Sequence, residues 1–142
     1  MFTKKSLLVL ATILLGVGIS FGESMSETAV MQLVNSSGVE VLNYDVGEDA
    51  YVHVEDDDAN SDGGTVEELT VLLSSATETE GEILTLTETG MNTGVFEGSM
   101  GFDASGGVAT DGVLQVSRGD KLTALYADPA DDFGNPVDIT DV

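Results

Sequence analysis

The stretch GEILTLTETGMNTGVFEGSMGF, Gly81 to Phe102, decides the fold. Leu84 and Leu86 alternate with Thr85 and Thr87, which is the period of a strand with one buried face. Gly90 and Gly94 then flank a short polar loop. Beyond it Phe96, Met100 and Phe102 share one parity, so they fall on one face of a second strand and are predicted core.

Outward from this hairpin the same alternation recurs, broken by turn residues about every 8 to 12 positions, the pattern of an all-β sandwich or barrel. The predicted strands are Thr28 to Val34, Val39 to Tyr44, Ala50 to Glu55, Val66 to Leu73, Glu82 to Thr89, Val95 to Phe102, Val113 to Ser117 and Lys121 to Ala127. Glycine and short polar side chains mark the turns NSSG (Asn35 to Gly38), VGED (Val46 to Asp49), ETEG before Glu82 and RGD before Lys121. Arg118-Gly119-Asp120 is read as turn chemistry rather than as an integrin-binding tripeptide. The segments LNYDVGEDAYVHVEDDD from Leu42 and LQVSRGDKLTALYADPA from Leu114 echo each other, aligning Gly47 with Gly119 and Asp56 with Asp128. Two strands that found the same turn solution account for the echo more simply than duplication.

The chain opens MFTKKSLLVLATILLGVGISFGES, with lysines, an apolar run and small residues at Ser20 and Gly22. That is the layout of a secretory signal cleaved after Gly22, so residues 1–22 are expected to be a signal peptide and 23–142 one domain. The run falls short of the roughly 20 apolar residues of a membrane span. With Lys4 and Lys5 removed, only Arg118 and Lys121 remain against 26 acidic residues. Such a surface repels nucleic acid and attracts cations. There is no cysteine, so an exported fold must hold through burial, metal binding or assembly.

Between two predicted strands, DDDANSDGG contains Asp58-x-Asn60-x-Asp62-Gly63, the front half of an EF-hand loop. The twelfth position is Leu69 rather than glutamate, and a strand enters the loop, so it is not an EF-hand. Three readings stand: a Ca²⁺ loop between strands using Asp56, Asp58, Asn60, Asp62 and Glu68; a solvated turn; and an acidic surface suited to high salt. A second, weaker cluster, Asp128, Asp131 and Asp132, lies in an acidic C-terminal tail. Counting a reversal at every connection puts the two clusters at opposite poles, where they could share calcium head to tail between copies.

No catalytic centre is visible. His53, the single histidine, shares the outward parity of Tyr51 and Glu55, and there is neither a cysteine nor a Gly-x-Ser-x-Gly elbow.

The strings YVHVEDDDAN, TLTETGMNTGVFEGS and LYADP resemble the immunoglobulin-like β-sandwich repeats of large bacterial cell-surface and adhesin-like proteins, over roughly Met31 to Pro129. The resemblance implies an immunoglobulin-like antiparallel sandwich of about seven to eight strands, in an extracellular structural or adhesive module that is often calcium-loaded. Asp56, Asp58 and Asn60 stand at the matching loop. The cysteine and tryptophan hallmarks of antibody domains are absent. The expectation is a secreted or cell-surface building block that is not an enzyme, has no membrane span after signal cleavage, and partners with itself or with surface components. Self-assembly would run by strand addition through Glu23 to Val34 or head to tail. The alternative is a soluble module that binds a protein or carbohydrate through its loops.

Overall fold

The computed structural model describes residues 26–45, 47–105 and 110–142; the expected signal segment lies outside them. Eight strands follow in order: β1 (Val30–Val34), β2 (Asp49–Glu55), β3 (Glu68–Ser74), β4 (Glu82–Glu88), β5 (Val95–Asp103), β6 (Leu114–Gln115), β7 (Thr123–Asp128) and β8 (Val137–Asp141). Alternation dictates which face each strand buries: Ala50, Val52 and Val54 point inward from β2, Leu84 and Leu86 from β4.

The strand order is β1-β2-β5-β4-β3-β7-β8, with β6 beside β5. β2 and β5 pair along their length, as do β3 and β4. β4 and β5 join only at Thr87↔Glu97 and Glu88↔Phe96, so the sheet folds over at that corner. Gly98 makes the corner possible, because a Cβ there would sit 2.7 Å from Leu86 Cδ2 and 2.8 Å from the Thr85 carbonyl oxygen. At the opposite seam β1 and β8 lie side by side without ladder pairing. The result is an all-β sandwich, close to a flattened barrel. β1, β2 and β5 against β3, β7 and β8 is the strand partition of an immunoglobulin-like sandwich, with β6 added and β4 attached mainly to β3.

Phe96, Val52 and Val54 from one layer meet Leu73, Leu86, Val71 and Tyr126 from the other, all at most 5% exposed. Phe102 packs on the rim of this core, edge-on to Tyr44 with ring centroids 5.7 Å apart. The predicted core face of β5 is thus borne out.

Three expectations need correction. Val39 to Tyr44 is not a strand: after the Asn35–Gly38 turn it makes one bridge, Val34↔Glu40, and leaves the sheet. Tyr44 then turns in to donate its hydroxyl to the Val34 carbonyl at 2.6 Å. The acidic C-terminal tail, where no strand is predicted, contains one, because Val137–Asp141 forms β8 and pairs with all but the first residue of β7. Finally, β6 runs parallel to β5 rather than reversing. One reversal fewer brings the end of β7 back to the pole where β2 ends, so the two acidic clusters share a pole.

Candidate metal-binding pole

Residues 26–29, loop 56–67, loop 89–94 and loop 129–136 converge at this shared pole. Asp56 continues the inward parity of Val52 and Val54, which carries its carboxylate into the interior, 3% exposed. There Oδ1 accepts the amides of Asp58 (2.8 Å) and Ala59 (3.0 Å), and Oδ2 accepts the Tyr126 hydroxyl at 2.6 Å. Asp128 ends β7 in the equivalent way, 1% exposed, with Oδ1 accepting Ala130 N and Oδ2 accepting Ala29 N. The sequence echo therefore has a spatial meaning. Gly47 and Gly119 both adopt positive φ in the turns before β2 and β7, and at one pole a buried aspartate directly follows β2 and closes β7.

Tyr126 reports the charge gathered here. Burial raises its pKa first, then the bond to Asp56 and the fields of Asp56, Asp128 and Asp58 raise it further. Asp58 Oδ2 accepts Glu27 N at 3.0 Å and Asp132 Oδ1 accepts Thr28 N at 2.9 Å. Asp131 folds its own loop, with Oδ1 accepting Phe133 N and Asn135 N, and those amides hold its carboxyl below the usual range.

Inside loop 56–67, Asp62 Oδ1 accepts Gly64 N, and Glu67 Oε1 accepts Ser61 N, Ser61 Oγ and Asp62 N. Glu67 thus turns into the loop, whereas Glu68 opens β3 with an exposed side chain. Two oxygens of this loop, Asn60 Oδ1 and Glu67 Oε2, are buried without a hydrogen-bond donor. Among the described residues, no three carboxylates or histidines already converge as a metal shell. A cation here would draw on Asp58, Asn60, Asp62 and Glu67, while Asp56 is committed to holding the loop's backbone.

Sequence reasoning missed Glu88, which shares the inward parity of Leu84 and Leu86 and is 4% exposed. Its Oε1 accepts Thr93 N (2.7 Å) and Gly94 N (3.0 Å). Burial acts to raise its pKa, but the amides of Thr93, Gly94 and Glu67 outweigh it and hold the group below the ordinary value. It missed Tyr126 as well, whose parity with Ala124 and Asp128 was the available signal. His53 lies on the sheet surface as expected, its ring between Glu97 Oε1 at 3.1 Å and Glu55 Oε1 at 3.2 Å. Compared with known proteins, the chain matches no family model and no curated sequence.

Proposed function

We propose that the chain is a secreted, non-enzymatic structural module of a cell surface or extracellular matrix, stabilised by Ca²⁺ at loop 56–67. The observation that carries this reading is the pair of buried, donor-less oxygens, Asn60 Oδ1 and Glu67 Oε2, in the loop that also holds Asp58 and Asp62. A buried acceptor without a partner is costly unless something positive meets it. Ca²⁺ takes six to eight oxygens in flexible geometry, and carboxylates with an amide oxygen suit it. The neighbouring Asp128 and Asp132 add attraction without ligation. The non-enzymatic part is supported by His53, which pairs with glutamates on an open sheet face rather than in a cleft. The surface role is supported by the resemblance and by the acidic composition.

The test is thermal unfolding of residues 23–142 in EDTA and in excess Ca²⁺, with Mg²⁺ at matched ionic strength. Ca²⁺ at 100 times its dissociation constant stabilises by about 2.7 kcal/mol, which raises the midpoint by several degrees. Asp58→Ala with Asp62→Ala abolishes that shift. Equal stabilisation by every salt would leave the loop a solvated turn and remove the calcium reading.

A further inference from the structure

The pole opposite the acidic one carries a cleft of about 890 Å³, lined by apolar groups from Val41, Leu42, Tyr44, Phe102, Val116 and Leu122. Leu42 at its edge is 87% exposed. Arg118 and Lys121 also line it, and they are the only positively charged side chains among the described residues. Both are exposed, and neither makes an ion pair among those residues. Asp45 and Asp120 line it too, but Asp120 Oδ2 is turned inward to the amides of Ser117 and Thr77.

The acidic pole presents the complement. Phe133, at the tip of loop 129–136, is 85% exposed and follows Asp131 and Asp132. The loop is braced before any partner arrives: Asp131 N donates to Asn135 O at 2.8 Å, Gly134 N to Asp131 O at 2.7 Å, and Ser26 Oγ to the carbonyls of Ala130 and Asp131. A braced aromatic tip loses little freedom on docking. Phe133 cannot reach the cleft of its own chain, because the five residues of β8 separate the poles by about 17 Å at about 3.4 Å per residue.

We propose that the Phe133 loop of one copy docks in the Arg118/Lys121-rimmed cleft of a second copy, so that the module assembles head to tail. Phe133 enters between Tyr44, Phe102 and Leu122, and the exposed Asp132 faces the two cations. In a chain this acidic, the cleft is the one place among the described residues that carries lysine or arginine, so it is where an acidic loop of a second copy is attracted. Strand addition at β1 is less favoured, since Ala29 N and Leu33 N on its edge are already capped by Asp128 and Asp141. Because the two faces differ and lie at opposite ends, the contact is heterologous and each copy added leaves a free face for the next. It does not depend on calcium in loop 56–67.

The test is sedimentation velocity of residues 23–142 over a concentration series, with Phe133→Ser and with Arg118→Glu/Lys121→Glu. The wild type is expected to form species growing with concentration and shrinking with added salt. Either variant should weaken association roughly 30-fold, as for a central aromatic anchor or its facing charges. Both substitutions are on exposed side chains, so the thermal midpoint serves as a check that each variant is folded. Mixing the two variants is diagnostic, because each keeps one intact face and together they form one-to-one dimers that grow no further. EDTA should leave association unchanged, which separates this contact from the calcium reading. A wild type that stays monomeric overturns the proposal, as does self-association that ignores both variants, or a mixture that forms no dimer.

Discussion

Tyr126→Phe tests whether the acidic pole is held by its buried carboxylates. The tyrosine is 5% exposed and its hydroxyl donates to Asp56 Oδ2 at 2.6 Å, joining β7 to the start of loop 56–67. Phenylalanine keeps the ring's packing and removes only the hydroxyl. Asp56 Oδ2 is then left buried and without a donor, while Oδ1 keeps the amides of Asp58 and Ala59. A hydrogen bond to a charged group contributes about 1.5–3 kcal/mol, so the expected loss is about 2 kcal/mol. With a urea slope of about 2 kcal/mol/M, the midpoint falls by about 1 M at unchanged slope. Far-UV circular dichroism reads the transition, since the chain has no tryptophan. Asp56→Ala is expected to cost more, because it frees the hydroxyl and two amides together. In the double variant the two losses add to less than their sum, as for any pair in contact. A Tyr126→Phe protein within about 0.5 kcal/mol of the parent, the range of an ordinary surface change, would refute the clamp.

The alkaline limb of stability follows from the same chemistry. Burial raises Tyr44 to about 12, with the charges of Asp141 and Glu48 adding to it, and Tyr126 is raised as well. An unfolded tyrosine ionises near pH 10. Stability from both groups is therefore complete below about pH 10 and declines as pH rises toward the folded values, because there the native state holds protons that the unfolded state has lost. Urea midpoints measured between neutral and strongly alkaline pH check this, and Tyr44→Phe should lessen the decline. At the β4–β5 corner, Gly98→Ala forces a methyl against Leu86 Cδ2 and the Thr85 carbonyl. The backbone contact cannot rotate away, so a cost of about 1–3 kcal/mol is expected in the same assay; a neutral result would mean that the corner opens freely.

Strands whose alternation follows their burial are legible in the amino-acid sequence alone. β2, β3, β4 and β5 sit inside the sheet, each with one face in the core, so alternation is written into Val52, Val54, Val71, Leu73, Leu84, Leu86 and Phe96. β8 is not legible, because an edge strand buries less: Val137, Ile139 and Asp141 are only half-buried and the residues between them are polar. Val39 to Tyr44 misleads for the opposite reason. It has strand-like residues but makes only its single bridge, and Val39 and Leu42 remain exposed. The direction of β6 leaves no mark in two residues of sequence, yet it decides which pole the second acidic cluster occupies. Chain proximity groups the acids into two clusters, whereas the fold regroups Asp56, Asp58 and Asp128 around one tyrosine.

The acidity itself divides into two kinds once the carboxylates are placed. Asp56, Glu82, Glu88 and Asp128 are buried at or next to strand ends and Glu78 is buried in the β3–β4 loop, and none has a cationic partner among the described residues. Each instead accepts backbone amides, Glu82 those of Asp111 and Gly112 and Glu88 those of Thr93 and Gly94 in loops, and Glu78 that of Gln115 in β6. Several amides aimed at one carboxylate form a positive concavity that stabilises the ionised form without a counter-ion from the chain. In a fold with no disulfide, these contacts fix the loops at both poles. These contacts account for Asp56, Glu82, Glu88 and Asp128 without a counter-ion, whereas Glu78 keeps one oxygen, Oε1, buried without a donor. The remainder are surface charges, and where they crowd beside donor-less oxygens at one pole, no described side chain neutralises them. Positive charge from outside the chain's own fold would be attracted to this pole. A bound cation can supply it at loop 56–67, and the Arg118 and Lys121 of the next copy can supply it at the Phe133 loop. Both proposals concern the same pole, so the calcium proposal and the head-to-tail proposal are separable by experiment yet rest on one imbalance.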